Sequence, residues 1–119
     1  MHFYDSYALI EIFKGNTNFD KFKDSIPICI LQNLFELHQA LLRDFNKKTA
    51  DYWINKFDYK LIEISKEDIV KASDFRFKHK KLKLSMTDCL GYILAKKNKL
   101  KFLTGDGKFE NFEDVEFIK

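Results

Sequence analysis

Apolar residues along this chain follow two alternating patterns, short runs of strand length and longer stretches with helical spacing. The short runs are rich in Phe, Ile, Leu and Val, and they predict strands at residues 2–4, 28–31, 61–64, 100–103 and 115–118. The longer stretches predict helices at about residues 7–14, 32–45, 48–57, 65–75 and 85–95, with a short helical stretch at 109–112. Strands therefore alternate with helices from one end of the chain to the other.

Local signals support these boundaries. Gly15 is placed to end the first helix, and Ser65 followed by Asp68 resembles a capping box. Leu34, Leu37 and Leu41 recur at helical spacing, and Phe35, Leu42 and Phe45 lie alongside them. The two helices between residues 32 and 57 are expected to form a hairpin, with Tyr52 or Trp53 buried together with Ile54 and Phe57.

Alternating strands and helices are typical of βαβ units, in which parallel strands carry helices on both faces of the sheet. We therefore predict a three-layer α/β/α sandwich with a central, mainly parallel sheet of about four to five strands. The chain contains no internal repeat, low-complexity linker or break in composition. Residues 1–119 are expected to form a single domain.

Composition narrows the class of protein without naming its chemistry. Hydrophobic residues make up 45% of the chain and charged residues 33%, which is too apolar for a disordered protein. No apolar run approaches the roughly 20 residues that cross a bilayer, and the first residues lack the pattern of a signal peptide. A cytoplasmic location without membrane contact is expected. Cys29 and Cys89 lie in apolar segments and are interpreted as small buried residues.

Charge is distributed unevenly behind a net value of +3. Residues 76–101 contain nine Lys or Arg and one acid, whereas residues 102–119 contain five acids and two lysines. A basic segment next to an acidic one suits a protein that binds a polyanion beside a cation.

Four acids occupy corresponding places in the predicted fold. Ligands bind beyond the carboxyl ends of the strands in an open parallel sheet, and Asp5 and Asp106 each follow a predicted strand. Glu36 and Asp88 lie near the starts of helices that could face the same edge. Each acid alone has a structural explanation as a helix cap, a solvated residue or a turn residue.

Together the four acids indicate a metal site. Crowded carboxylates repel one another and raise one another's pKa unless a divalent cation neutralises them. Mg²⁺ and Mn²⁺ are the cations that favour carboxylate and water oxygens. We therefore expect one or two such ions at Asp5, Glu36, Asp88 and Asp106.

The chain also resembles the PIN-domain family. The residues that carry this resemblance occur in order at four places: Phe3-Tyr4-Asp5-Ser6 at the start, Leu34-Phe35-Glu36-Leu37, residues 85–95 around Asp88, and residues 102–109 around Thr104-Gly105-Asp106. The resemblance spans the whole chain. It implies hydrolysis of RNA phosphodiester bonds by a Mg²⁺- or Mn²⁺-dependent endoribonuclease, which in compact members is the VapC-type toxin of a type II toxin–antitoxin pair.

The resemblance also implies roles for individual residues. Asp5 and Asp88 would be direct metal ligands, Asp106 a ligand directly or through water, and Glu36 a ligand of a second ion or an orienter of the attacking water. An antitoxin protein and a homodimer are the partners expected beside the RNA substrate. An antitoxin groove on the hairpin of residues 32–57 is one placement, although a small domain also needs its aromatic residues for its own core.

Several polar neighbours of the acids are open to two interpretations. Ser6 and Thr104 are expected to hydrogen-bond a metal-binding carboxylate or water, with simple turn polarity as the alternative. Asn33 and Glu11 are interpreted as a helix cap and a solvated residue, and we leave both out of the site.

A basic run precedes the helix of Asp88. We expect it to contact RNA phosphates, and Phe77 within it could stack on a base. The predicted RNA-binding residues are Arg76, Lys78, Lys80, Lys81 and Lys83. A solvated basic loop is the alternative. His79 is interpreted as part of the run rather than a general base, and His38 as a partly buried structural residue.

Three other functions use similar features. The domain could be a non-catalytic module that binds RNA or protein, or an RNA-processing PIN nuclease that is not a toxin. A phosphoacceptor domain with Asp5 as nucleophile is disfavoured, because the residues after Asp5 lack the Asp-x-Asp spacing of haloacid-dehalogenase-like phosphatases.

Overall fold

A computed structural model describes all 119 residues and contains five strands and five α-helices. The strands are β1 (His2–Tyr4), β2 (Ile28–Cys29), β3 (Lys60–Leu61), β4 (Lys101–Thr104) and β5 (Val115–Phe117). The helices are α1 (Ser6–Phe13), α2 (Leu31–Asp44), α3 (Lys47–Lys56), α4 (Lys66–Lys78) and α5 (Met86–Lys97). Three short 3₁₀ segments lie at Thr17–Phe22, Lys80–Leu82 and Gly107–Phe109.

The five strands form one sheet in the order β3-β2-β1-β4-β5, and every neighbouring pair is parallel. Helices α1, α2 and α3 pack against one another, and α4 packs against α5. Right-handed crossovers place these two groups on opposite faces of the sheet, because the chain runs outward from β1 to β3 and then crosses back to β4. The three-layer α/β/α sandwich and its parallel sheet are confirmed, and the number of strands is five.

Helix starts are set by side chains that accept hydrogen bonds from the first free backbone N–H groups. Asp5 caps α1, and reciprocal capping boxes form between Ser65 and Asp68 at α4 and between Ser85 and Asp88 at α5. At the other end of α1, Gly15 has a φ of 83°, the left-handed conformation that glycine adopts without steric cost.

The centre of the core is aromatic. Phe3 of β1 stacks on Phe102 of β4 at 5.8 Å, and Phe102 also contacts Tyr92 and Phe109. Gly91 of α5 faces these rings, and a Cβ there would lie 2.9 Å from Phe3. Close approach of α5 to the middle of the sheet therefore requires a residue without a side chain at this position.

The sequence prediction was wrong at several element boundaries. The strand predicted over residues 61–64 is shorter, and Ile62 and Ile64 instead pack against the core from an irregular segment. The 3₁₀ segment that buries Phe19 and Phe22 was not predicted. Phe35 is 70% exposed although its spacing suggested a place beside the buried leucines of α2.

None of the helices has the length and apolar character needed to cross a membrane.

Candidate active site

The strand order reverses between β1 and β4, which are paired in the middle of the sheet. Tyr4 lies opposite Leu103, so the residues that follow the two strands meet at one edge. The backbone N–H of Asp5 donates to the carbonyl of Leu103 at 3.2 Å. An open parallel sheet leaves its crevice at such a reversal point, and Asp5 directly follows β1 there.

Asp5 is the most perturbed acid at this edge. It is only 4% exposed, and its Oδ1 accepts a hydrogen bond from the N–H of Ala8 at 3.0 Å. Burial raises the pKa of Asp5 to about 7; a hydrogen bond from the Thr104 hydroxyl opposes this rise, and the charges of Asp88 and Asp106 add to it. These two acids are therefore close enough to repel a negative charge on Asp5.

Asp88 and Asp106 are each held through one carboxylate oxygen. Asp88 Oδ2 accepts from the N–H of Ser85 at 3.0 Å, and Asp106 Oδ1 accepts from the N–H of Lys108 at 3.0 Å. The Thr104 hydroxyl accepts from the N–H of Asp106 and so ties this turn to the end of β4. The second oxygen of each carboxylate stays available for a ligand, while the first sets its orientation.

Glu36 joins the site through Ser6, the residue that follows Asp5. The Ser6 hydroxyl donates to Glu36 Oε1 at 2.5 Å and accepts from the Asn33 amide at 2.9 Å. Asn33 is 1% exposed, and its Oδ1 accepts from the N–H of Ile30 at 3.0 Å. Asn33, predicted only as a helix cap, does cap α2, but the same amide also positions the Ser6–Glu36 pair.

We expect Asn33→Ala to lower the free energy of unfolding by roughly 1–3 kcal/mol, because the buried N–H of Ile30 loses its acceptor. Urea unfolding followed by the fluorescence of Trp53, the only tryptophan, measures this change. Gln39→Ala, at an exposed position of the same helix, is the matched control and should change stability by less than about 0.5 kcal/mol. Equal stability of the two variants would contradict the buried role of Asn33.

The four carboxylates are chemically suited to a hard divalent cation, but they do not form a complete coordination site in this structure. Carboxylate oxygens are ligands that such cations prefer, and the charges of Asp88 and Asp106 add to the effect of burial in raising the pKa of Asp5. No group of three or more His, Cys, Asp or Glu side chains lies at the spacing of a complete metal-binding set. The arrangement is an open edge at which carboxylates would move together around a cation.

A cavity of about 500 Å³ opens between the N-terminal ends of α2 and α5. Glu36 lies in its wall together with Leu31, Phe35 and Met86. These three apolar side chains are 66%, 70% and 59% exposed and together form an apolar patch beside Glu36. This patch was not predicted, because helical spacing alone assigned Phe35 to the core side of α2.

The predicted RNA-binding residues lie at the end of α4 and in the segment before α5, and all of them are exposed. Arg76 differs from the lysines because its Nε donates to the carbonyl of Leu84 at 2.8 Å. His79 also differs from the prediction. It is half-buried between the rings of Phe75 and Phe112, at 4.6 and 5.0 Å, and so belongs to the aromatic packing rather than to the basic surface.

The remaining polar residues have structural contacts. His38 is partly exposed and pairs with Asp51 at 2.8 Å, joining α2 to α3 as a structural histidine. Glu11 accepts from the side-chain amide of Asn16 at 3.0 Å, so it stays outside the site.

Tyr7 was not singled out by sequence, yet burial raises its pKa, and the charges of Glu11, Asp5 and Asp106 raise it further. Its ring therefore lies beside the acids.

This chain has a fold seen in a solved structure, but its sequence matches no known family. No protein-family model matches the sequence, and no curated protein matches it. Among solved structures, a chain from a toxin–antitoxin complex of Klebsiella pneumoniae matches with a TM-score of 0.70 and 16% identity, over 98% of this chain and 96% of that one. At this identity the two proteins share a fold over nearly their whole length, an α/β/α sandwich around a parallel sheet.

Proposed function

We propose that this protein is a Mg²⁺- or Mn²⁺-dependent endoribonuclease of the PIN-domain class and the toxin of a toxin–antitoxin pair. One observation carries the proposal most directly. A buried aspartate, Asp5, lies at the reversal point of a parallel sheet, and two further carboxylates, Asp88 and Asp106, act on its charge. An acid buried in this way is stabilised either by a proton or by a cation.

Asp5, Asp88 and Asp106 would hold the cation, because each has one oxygen fixed by a backbone N–H and another that a ligand can use. A bound divalent ion at such a site activates water and stabilises negative charge on phosphate oxygens.

The chain's own groups supply orientation and proton transfer. The hydroxyl of Thr104 favours the charged form of Asp5 and so lowers its pKa against the effect of burial. Ser6 occupies one oxygen of Glu36 and leaves Oε2 to accept a proton from an attacking water. Lys80 and Lys83 of the segment before α5 are exposed and would bind RNA phosphates.

The toxin role is supported by the structural neighbour and by exposed apolar surface. The neighbour comes from a toxin–antitoxin complex. On the α2–α3 hairpin, Phe45 and Tyr52 are each 53% exposed and Phe57 is 42% exposed. Exposed aromatic residues of this kind are typical of protein interfaces, and this hairpin is our proposed antitoxin surface. A homodimer remains a prediction.

The direct test is cleavage of RNA by the purified protein. We expect Mn²⁺- or Mg²⁺-dependent cleavage that chelation abolishes, and a loss of roughly 10²- to 10³-fold in Asp88→Asn and in Asp106→Asn. Asn keeps an oxygen that can accept the N–H of Ser85 or Lys108, so both variants should fold. Asp74→Asn, which removes a charge from the exposed surface of α4, is the matched control and should keep full activity.

Three outcomes would redirect the proposal. Cleavage by Asp88→Asn at the parent rate would contradict the site. RNA binding without turnover in either metal would favour a non-catalytic module. Cleavage in vitro without growth arrest on expression would favour an RNA-processing nuclease, whereas growth arrest by the parent and not by Asp88→Asn supports the toxin.

A further inference from the structure

A second cavity, of about 350 Å³, lies at the C-terminal end of α4. Its wall is formed by Ser73, Arg76, Phe77, Lys80, Lys83 and Leu84. The volume is at the lower end of the range for small-ligand pockets. Three cationic side chains around an apolar surface make this cavity chemically distinct from the acidic edge.

Phe77 gives the cavity a flat apolar surface. Its side chain is 74% exposed, the most of any phenylalanine in the chain, and it packs into no core. The Nζ of Lys80 lies 5.1 Å from the centre of its ring. An exposed ring next to a cation matches both parts of a nucleotide, because a base stacks on the ring and a phosphate pairs with the ammonium group.

The cavity wall is tied to the rest of the fold. Arg76 donates to the carbonyl of Leu84, a residue that is 1% exposed, and so joins the end of α4 to the segment before α5. Lys83 has a φ of 54°, a left-handed conformation that is uncommon for a residue with a side chain. The segment therefore holds a specific turn, and that turn places the Lys83 side chain in the cavity wall.

The cavity also lies next to the acidic edge. Leu84 immediately precedes Ser85, which caps α5 and holds Asp88. From the other side, the Nζ of Lys108 donates to the carbonyl of Lys83 at 3.3 Å, and Lys108 is two residues from Asp106. Two separate connections thus join the cavity to the turns that carry Asp88 and Asp106.

We propose that this cavity is a nucleotide subsite of the RNA-binding surface, in which a base of single-stranded RNA stacks on Phe77 and its phosphate pairs with Lys80 and Lys83. The inference rests on the proposed nuclease function and deepens it. It also divides the basic run in two. Lys80 and Lys83 line the cavity, whereas Lys78 and Lys81 are exposed but lie outside its wall.

Binding of a fluorescein-labelled, single-stranded RNA hexamer tests the subsite in EDTA, where divalent-dependent cleavage does not interfere. We expect Phe77→Leu to raise Kd by about 5- to 100-fold, since it removes the stacking surface and keeps an apolar side chain. For a hexamer lacking its bases, Phe77→Leu should have no effect. Melting temperatures equal to that of the parent confirm that the variants are folded.

Two double variants that remove the same charge separate the subsite from general attraction. Lys80→Gln/Lys83→Gln should raise Kd by at least about 10-fold and reduce the slope of log Kd against log salt by about 1–2. Lys78→Gln/Lys81→Gln should raise Kd by less than about 3-fold. The subsite would be overturned if the two double variants raised Kd equally and Phe77→Leu did not change it. It would also be overturned if polyglutamate displaced the labelled hexamer as well as unlabelled RNA does.

The outcome is independent of whether the protein cleaves RNA. If the hexamer binds with this pattern but no metal supports cleavage, the subsite stands and the nuclease function fails. In the opposite case the parent cleaves RNA, and the variants Phe77→Leu and Lys80→Gln/Lys83→Gln bind and cleave RNA as well as the parent does. The nuclease function then stands and the subsite fails.

Discussion

Asp5→Asn is expected to abolish catalysis while making the metal-free protein more stable at alkaline pH. RNA cleavage should fall by roughly 10²- to 10³-fold, because the central carboxylate of the proposed metal site is lost. Asn can still accept the N–H of Ala8 and cap α1. Above pH 7 the parent must keep a buried negative charge at this position, next to Asp88 and Asp106, and the variant does not.

The pH dependence follows from the sign of the pKa shift. The pKa of Asp5 is about 7 in the folded protein and 3.8 ordinarily, so the folded state holds a proton that the unfolded state releases. Stability from this group is fully present below pH 4 and is lost as the pH rises through 7. Each pKa unit corresponds to about 1.4 kcal/mol, and the total is a few kcal/mol.

Thermal unfolding in EDTA between pH 4 and 8 measures this effect as a difference between the parent and Asp5→Asn. We expect the variant to gain stability relative to the parent over that range, reaching at least about 5 °C in Tm at pH 8. Saturating Mn²⁺ should raise the Tm of the parent and leave that of the variant nearly unchanged, since a ligand stabilises only the state that binds it. Parallel pH profiles, or full activity of the variant, would contradict the role of Asp5.

Gly105→Ala is expected to destabilise the protein by roughly 2–4 kcal/mol, whereas Gly107→Ala on the other side of Asp106 should be neutral or slightly stabilising. A Cβ at Gly105 would lie 2.3 Å from the carbonyl oxygen of Ile118 and 2.3 Å from the Tyr7 ring. No atom lies within 4 Å of a Cβ at Gly107. Because one contact is with backbone, the chain just after β5 would have to move.

Urea unfolding of the two variants provides an internally controlled measurement, since they flank the same acid and differ only in what the new methyl group meets. A midpoint shift confined to Gly105→Ala supports the close packing of this turn against α1 and β5. Equal midpoints would show that the end of β5 yields easily. We also expect Gly105→Ala to reduce cleavage, because displacement of the turn moves Asp106.

The positions of most helices and strands could be predicted from hydrophobic periodicity and from helix-capping residues. Ser65 with Asp68 forms the helix start that their spacing indicates, and α5 begins close to the start predicted at residue 85. Placing Asp5 and Asp106 at strand ends was also possible, because the predicted strands end directly before Asp5 and shortly before Asp106. These features depend on residues close together in the chain, and local sequence specifies local geometry.

Contacts between distant segments were not accessible in this way. Asn33 looked like a helix cap, and its bond to Ser6 exists only because α1 packs beside α2. Phe35 has the spacing of a core residue, but it is exposed and lines the cavity that also contains Glu36. Hydrophobic spacing gives the period of a helix and does not give its neighbours.

Short-range patterns in the sequence were enough to predict the alternation of strands and helices, the α/β sandwich and the acids that follow its strands. The pairing of β1 with β4 and the burial of Asp5 beside Asp88 and Asp106 are visible only in the folded protein. The tertiary structure also separated Lys80 and Lys83 from the other lysines of the basic run. Pairing, burial and cavity walls arise from residues far apart in the chain, which come together only when the layers pack.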